Sequence, residues 1–198
     1  MQTKEKKKVV VCVMGKSGTG KSTIINDLRN LYPGSFHVVK SFTTRGQREN
    51  DPEDIKTHEF VSMVEFLEDK CLDRIVSLYH SDKGYFNWTS EQSFSEDKIN
   101  LYAIDPKACV ELVKSHGAQW TIIPIYFTLS DEKRLERLRK RDNITELPEE
   151  EHLSYKILAR RIEFEMLNSE NSRLKNAADL LDSITYWRVI LDGMDFQE

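Results

Sequence analysis

A glycine-rich segment near the N-terminus constrains the fold of this chain more than any other feature. It reads GKSGTGKS over residues 15–22 and matches the pattern G-x-x-x-x-G-K-[ST] at every fixed position. The β-branched run Val9–Met14 precedes it, and apolar residues at helical spacing follow it between Ser22 and Leu31. A loop in this context is predicted to be a phosphate-binding loop, or P-loop, that joins a buried parallel strand to a helix.

The residue types in this loop suit the binding of a nucleoside triphosphate. Glycines let the backbone turn its N–H groups toward phosphate oxygens, and the helix that follows points its positive N-terminal end at the same anion. We expect Lys21 to reach the β- and γ-phosphates of ATP and the Ser22 hydroxyl to ligate Mg²⁺. The predicted ATP-binding residues are Gly15, Lys16, Ser17, Gly18, Thr19, Gly20, Lys21, Ser22 and Thr23.

Strand and helix patterns alternate along most of the chain. Further strands are predicted at Val38-Val39, Leu101–Ile104, Trp120–Phe127 and Ala178–Leu181, and further helices from Pro106, over Ser130–Arg141, over Leu153–Leu167 and at the C-terminus. Such alternation predicts one α/β domain, a three-layer α/β/α P-loop fold around a parallel central sheet.

Two stretches interrupt the alternation. Residues from about 41 to 95 are polar with scattered aromatics and are predicted to form an insert. Residues 142–150 are the second irregular stretch, flanked by basic helices, and a lid is predicted over residues from about 133 to 156. The core is then assigned to residues 8–40, 99–132 and 152–198. A core with two inserts suits an enzyme that closes over two substrates.

Composition narrows the class of protein further. The 198 residues carry a net charge of −4, so no nucleic-acid partner is expected. The longest apolar runs are strand-sized and nothing predicts a signal peptide, so no membrane partner is expected. Cys12, Cys71 and Cys109 show no disulfide or zinc spacing, which favours a reducing cytoplasm. A monomer or a homodimer is expected.

Two motifs in the predicted insert resemble those of a known enzyme family. Residues 41–48, SFTTRGQR, resemble the S-x-T-T-R-x-x-R signature of guanylate kinases. Residues 58–62, HEFVS, followed by Glu65-Phe66, resemble the family's Y-x-F-V-S…E-F stretch. The resemblance implies ATP-dependent phosphoryl transfer to a nucleoside monophosphate, with GMP or dGMP as the acceptor and Mg²⁺ as the cofactor.

Two later motifs extend the resemblance from about Val9 to Phe164. Ile104-Asp105 falls at the family's D-I-D strand end, and residues 135–138, LERL, with Arg141 resemble the R-L-x-x-R segment of its lid. The residues implied in catalysis are Lys21, Arg45, Arg137 and Arg141. The residues implied in monophosphate binding are Ser41, Arg45, Arg48, His58, Tyr85 and Asp105.

The implied roles differ from residue to residue. Arg45 and Arg48 match two arginines that grip the acceptor phosphate, which suits their bidentate forks; the alternative is an exposed basic loop. Ser41 matches a serine that contacts the base, and His58 replaces a phosphate-gripping tyrosine. Asp105 matches an acidic residue near the magnesium and also fits a helix cap before Pro106.

Other assignments leave alternatives open. Arg137 and Arg141 match lid arginines that neutralise the migrating phosphoryl group, or they join Arg134 and Arg139 on a charged helix surface. Either Tyr85 or Phe86 is the aromatic residue that faces the acceptor.

The chain differs from the family at the residues that would contact the nucleotide base. The stretch Ile75–His80, where the family has its guanine-reading glutamate, carries no carboxylate, although Asp73 and Asp82 flank it. Ala103 replaces the first acid of D-I-D. The alternatives are a kinase acting on another nucleoside monophosphate or a sugar phosphate, and a non-catalytic protein-binding domain of the same build.

Overall fold

The structure is a computed structural model that describes residues 7–16, 18–47, 54–81, 84–141, 184–185 and 187–191. Several predictions lie outside these residues: the helix Leu153–Leu167, the strand Ala178–Leu181, and the residues Ser17, Arg48 and Asp82. The side chain of Arg141 lies outside them as well.

The described elements follow one another in a regular order. They are β1 (Val9–Gly15), α1 (Lys21–Leu31), β2 (Phe36–Val38), β3 (Ser41–Thr43), α2 (Asp54–Thr57), β4 (His58–Phe60), α3 (Met63–Cys71), β5 (Ile75–His80), β6 (Phe86–Ser90), a short 3-10 helix (Glu91–Ser93), β7 (Ile99–Ala103), α4 (Pro106–His116), β8 (Thr121–Thr128), α5 (Asp131–Arg141) and β9 (Trp187–Ile190). No helix in these ranges is long and apolar enough to cross a membrane.

Five strands form a parallel sheet in the order β2-β7-β1-β8-β9, which we call the first sheet. Side chains of β1 alternate between its two faces because successive residues of a strand point to opposite sides. Cys12 and Met14 pack with Cys109 and other residues of α4, whereas Val13 packs with Ile25 of α1. Helices therefore cover both faces, and the predicted three-layer α/β/α fold is confirmed.

The second sheet has the order β4-β3-β6-β5 and is built from the segment predicted to form an insert. Its strands are antiparallel apart from the parallel pair β3 and β4. Helix α3 starts with a capping box, in which Ser62 and Glu65 each satisfy a backbone N–H of the other. Phe66 of this helix is buried against Phe86 and Trp88 of β6.

One element at the C-terminal end differs from the prediction. The sequence suggested a closing helix after residue 181, whereas Trp187–Ile190 is strand β9, paired in parallel with β8. Val189 packs into the core, and the backbone N–H of Leu191 donates to the carbonyl of Thr128. Aromatic and β-branched side chains fit a pleated surface better than a helix, so the closing-helix prediction was wrong here.

Candidate active site

The glycine-rich loop has the backbone geometry that the P-loop motif requires. Gly18 and Gly20 have φ angles of 80° and 89°, in the left-handed region that favours glycine. A Cβ on Gly15 would lie 2.6 Å from the backbone oxygen of Phe127 in β8. The loop therefore packs tightly against the C-terminal end of the first sheet, where open α/β sheets bind their ligands.

Helix α1 begins directly behind this loop. Gly20 occupies the N-cap position and offers no side chain, so none of the described side chains caps the helix. The backbone N–H groups at such a terminus are available to an anion. The Lys21 ammonium lies across the loop and donates to the carbonyls of Gly15 and Lys16, at 2.8 Å each. Ser22 is exposed in the first turn.

Helix α5 contacts the loop through charged side chains. Lys16 Nζ lies 3.2 Å from Asp131 Oδ1, and the same oxygen accepts hydrogen bonds from Nε and Nη2 of Arg134. Burial works to raise the pKa of Asp131, but the hydrogen bond and charge of Lys16 and the charge of Arg134 lower it overall. Asp131 is therefore a carboxylate at neutral pH and links α5 to the P-loop.

Two arginines of α5 have different environments from those expected of a charged surface. Arg134 is only 1% exposed, so its assignment to a solvated helix face was wrong. A buried guanidinium must be paired, and Asp131 provides one partner. Arg137 is half-buried, and a Cβ on Gly20 would lie 3.3 Å from its Nη1. The predicted lid arginine Arg137 therefore lies against the P-loop.

Arg45 and His58 meet at the buried carboxylate of Asp54, the first residue of α2, beside the second sheet. Arg45 follows β3 and forms a bidentate ion pair with Asp54, with Nη1 lying 2.6 Å from Oδ2 and Nη2 bound to Oδ1. His58 Nδ1 lies 3.3 Å from Asp54 Oδ1 and 3.0 Å from Thr57 Oγ1. The structure thus brings together two of the residues predicted to bind the acceptor phosphate.

One face of the second sheet, which we call the Ser41 face, carries His58. Strand register places on it Ser41, Thr43, His58, Phe60, Ser77, Tyr79, Asn87 and Thr89. The Thr89 hydroxyl lies 3.3 Å from the hydroxyl of Tyr102 in β7, and the hydroxyls of Ser41 and Ser77 interact with the same phenol. The base-contacting role predicted for Ser41 would therefore involve a buried cluster of neutral hydroxyl groups.

Asn87 adds an amide group to this face. Its side-chain oxygen is buried and has no hydrogen-bond partner among the described residues. A buried acceptor without a donor is costly, and it calls for a water molecule or a ligand N–H or O–H group.

The opposite face of the sheet separates the two aromatic candidates. Phe86 stacks on Phe66 and on His80, with ring centroids 4.2 and 4.4 Å apart. Phe86 and Trp88 thus share the face away from Ser41, so Phe86 does not lie on the same face as Ser41 and His58. Tyr85 stays the predicted aromatic residue there.

Asp105 fulfils one of its two predicted roles. It is the N-cap of α4, and its Oδ1 accepts from the backbone N–H of Lys107 at 2.9 Å. Ile104, just before it, donates its backbone N–H to Val13 of β1, so Asp105 lies at the same sheet edge as the P-loop. The cap and a role near the acceptor are compatible.

The sequence analysis predicted no site contacts for Asp54, Asp131, Arg134 or Tyr102. Asp131 and Arg134 are three residues apart on a helix, a spacing that predicts contact and could have revealed the pair. No local signal links Asp54 to Arg45, nine positions earlier, or Tyr102 to the second sheet.

The parallel sheet, the glycine turn and the helix N-terminus are those of the P-loop α/β class. The model of the family described as guanylate kinase matches residues 6–185 of the chain. The chain therefore belongs to the guanylate kinase family.

Individual relatives in this family are distant. The guanylate kinase of Helicobacter hepaticus is 29% identical over 102 residues, and that match covers 50% of each protein, so the chain spans half the length of this relative. The guanylate kinase of Chlamydia abortus is 24% identical over 182 residues, 87% of this chain and 84% of the relative. The crystal structure of guanylate kinase from Anaplasma phagocytophilum has a TM-score of 0.51 and 18% identity, over 90% of this chain and 96% of its own, and shares the fold.

Proposed function

We propose that this protein transfers the γ-phosphate of ATP to a nucleoside monophosphate, with GMP or dGMP as the preferred acceptor. The observation that carries the proposal is the intact P-loop in a chain of this family. A helix N-terminus that none of the described side chains caps, with a lysine ammonium across the loop, suits a triphosphate. A domain used only to bind proteins would have no need of this geometry.

The chemistry needs positioning and positive charge more than a general base. An acceptor phosphate is itself a nucleophile, so in-line alignment and charge neutralisation supply most of the rate. We assign Lys21 to the β- and γ-phosphates, Arg45 to the acceptor phosphate, and Arg137 and Arg141 to the migrating phosphoryl group. Arg137 already lies against the P-loop, which supports its assignment. Arg48 and Tyr85 are proposed to complete the acceptor site.

Mg²⁺ fits this site through Ser22. Magnesium keeps several water and phosphate ligands and takes few from the protein, so one exposed hydroxyl in the first turn of α1 suffices. Bound there, the ion would neutralise charge on the β- and γ-phosphates. Among the described residues no group of three or more His, Cys, Asp or Glu side chains could hold a metal, which is compatible with an ion held mainly by nucleotide oxygens.

The base is proposed to be read by neutral groups. Strand β5 offers Ser77 on the Ser41 face, and Asn87 is the nearby amide whose oxygen has no donor among the residues that the structure describes. The Asn87 amide offers one acceptor oxygen, whereas a carboxylate offers two, one each for the ring N–H and the amino group of guanine. This difference supports weaker guanine discrimination, and it favours phosphorylation of another nucleoside monophosphate, or of a sugar phosphate, as the second candidate function.

We further propose the arrangement around this chemistry. The second sheet, within residues 41–95, would hold the acceptor, and residues 133–156 would close as a lid. Small-molecule nucleotides would be the ligands of a monomer or homodimer in the cytoplasm. The free thiols of Cys12, Cys71 and Cys109 are in keeping with a reducing compartment.

A radiolabel transfer experiment tests the proposed function. The protein is incubated with Mg²⁺, γ-labelled ATP and each ribo- and deoxynucleoside monophosphate in turn, and the products are separated by chromatography. We expect labelled GDP or dGDP as the main product. Label found only in inorganic phosphate, or only in a sugar phosphate when one is supplied, would reject transfer to a nucleotide.

A further inference from the structure

A buried carboxylate lies behind the predicted acceptor-phosphate site. Asp54 is the first residue of α2 and is only 3% exposed. Its two oxygens contact Arg45, and one of them also lies near His58. Neither the motif nor the resemblance assigned a role to this residue.

The hydrogen bonds of Arg45 show which edge of its guanidinium remains for a ligand. The group has five N–H donors in a fixed plane. Nη1 donates to Asp54 Oδ2 and to the carbonyl of Gly46, and Nη2 donates one hydrogen to Asp54 Oδ1. Within the described part of the chain, the Nε–H and the second Nη2–H have no hydrogen-bond partner. These two donors form a second fork on one side of the plane.

The surroundings hold this plane in place. The Arg45 side chain is 11% exposed, and its Cζ lies 5.3 Å from the centroid of the Phe60 ring. An arginine held by a bidentate carboxylate and covered by an aromatic ring has lost most of its rotamer freedom before any ligand arrives. Preorganised donors cost less free energy when a ligand binds.

We propose that Asp54 is the positioning residue of the acceptor-phosphate site. It binds the end of the Arg45 guanidinium and thereby presents the Nε–Nη2 fork to the phosphate of the monophosphate. The same carboxylate orients His58, so one buried group sets the direction of two phosphate-binding side chains. This inference rests on the proposed function, because it takes the monophosphate as the ligand of Arg45.

If Asp54 competed with the ligand for Arg45, replacing Asp54 would have the opposite effect on acceptor binding. If Asp54 were an internal anion that occupied Arg45 in place of the ligand, its removal would strengthen acceptor binding. The low exposure of Asp54 argues for a permanent partner, since a displaced carboxylate would remain buried without its counter-ion.

The test uses the full chain carrying Asp54→Asn, which preserves size and removes the charge. We expect kcat/KM for GMP to fall by about ten- to a hundredfold, with the KM for ATP unchanged, because a misdirected fork affects only the acceptor. Calorimetric titration of GMP should show a matching rise in Kd. Asp69→Asn is the control: this carboxylate of the same sheet region accepts from Trp88 Nε1 on the opposite face, and its loss should leave GMP binding unchanged.

A second variant covers the possibility that Asp54→Asn does not fold. Arg45→Lys keeps a positive charge beside Asp54 and loses the fork, so GMP affinity should fall to a similar extent while thermal unfolding stays cooperative. Unchanged or tighter GMP binding in Asp54→Asn, or unchanged binding in Arg45→Lys, would overturn the inference while leaving the proposed function intact if the wild-type protein phosphorylates GMP. A wild-type protein that neither binds nor phosphorylates any monophosphate would overturn both.

Discussion

The proposed donor and acceptor sites of this protein are built in different ways. The hydrogen bonds of the P-loop lysine are local, because Lys21 reaches the carbonyls of residues only five and six positions earlier. The Ser41 face of the second sheet draws on strands far apart in the chain, and its hydroxyl cluster includes Tyr102 from the first sheet.

This contrast explains why the two sites differ in how much their sequence reveals. A loop whose residues contact one another leaves a fixed spacing in the sequence. A face assembled from separate strands depends on register, and its members can change one at a time while the sheet is retained. The donor site should therefore be strict and the acceptor site adaptable.

Loss of the P-loop lysine should have the largest effect. Lys21→Ala removes the ammonium assigned to the β- and γ-phosphates, so kcat should fall on the order of a thousandfold. The Kd for GMP should stay unchanged if the two sites are separate. Steady-state kinetics and calorimetry measure both quantities, with the exposed Lys114→Ala as control. Near wild-type turnover in Lys21→Ala would remove the donor assignment.

Loss of Arg45 should impair the reaction with GMP and leave ATP binding unaffected. Arg45→Ala should lower kcat/KM for GMP by about a hundredfold, because a charged bidentate contact is lost, and should leave the KM for ATP unchanged. Exposed Arg74→Ala is the matched control. A variant that weakened ATP binding and spared GMP would contradict the separation of the sites.

The selectivity for the base tests whether the acceptor site is the more adaptable of the two sites. Loss of one charged hydrogen bond to a base costs about ten- to a hundredfold in discrimination, so the preference for GMP over AMP should be weaker than a carboxylate site gives. Competition between the two nucleotides in one reaction measures the ratio. Strict guanine selectivity that survives both Asp73→Ala and Asp82→Ala would refute the predicted weak discrimination.

Loss of the ion pair between Lys16 of the P-loop and Asp131 of α5 should have the smallest effect on the kinetics. Asp131→Asn removes the charge that holds Lys16 but leaves an amide oxygen that can accept from Arg134. Because the Lys16 and Asp131 side chains are both partly exposed, the KM for ATP should rise only about two- to fivefold. The KM for GMP should not change. The neighbouring exposed Glu132→Gln serves as control, and an equal effect of both substitutions would show that the Lys16 contact is unimportant.

The sequence predicted the strand and helix around the P-loop well for a physical reason. Val9–Met14 and the helix after Gly20 carry uninterrupted periodic patterns, and their boundaries differ from the structure by at most a residue or so. Pro106 marked the start of α4 correctly because its missing N–H is tolerated there.

The remaining features depend on contacts between residues far apart in the sequence, and these contacts were not predicted. The short strands around Ser41 and His58 are too brief for a clear period-2 pattern, so the second sheet was not predicted as a sheet. Arg134 belongs to a helix rich in charge, and its burial depends on neighbours that local sequence does not identify. Asp54 could be connected with Arg45 only after the sheet had placed both side chains together.

The most direct test of this account is the dependence of ADP release on the acceptor. ADP formation from ATP and Mg²⁺ is followed by a coupled assay, first without an acceptor and then with GMP or dGMP. We predict slow release without an acceptor, because an incomplete site should not support rapid hydrolysis, and a large acceleration with one GDP or dGDP formed for each ADP. Release that is equally fast with and without every nucleoside monophosphate would contradict the claim that this P-loop serves a phosphotransferase.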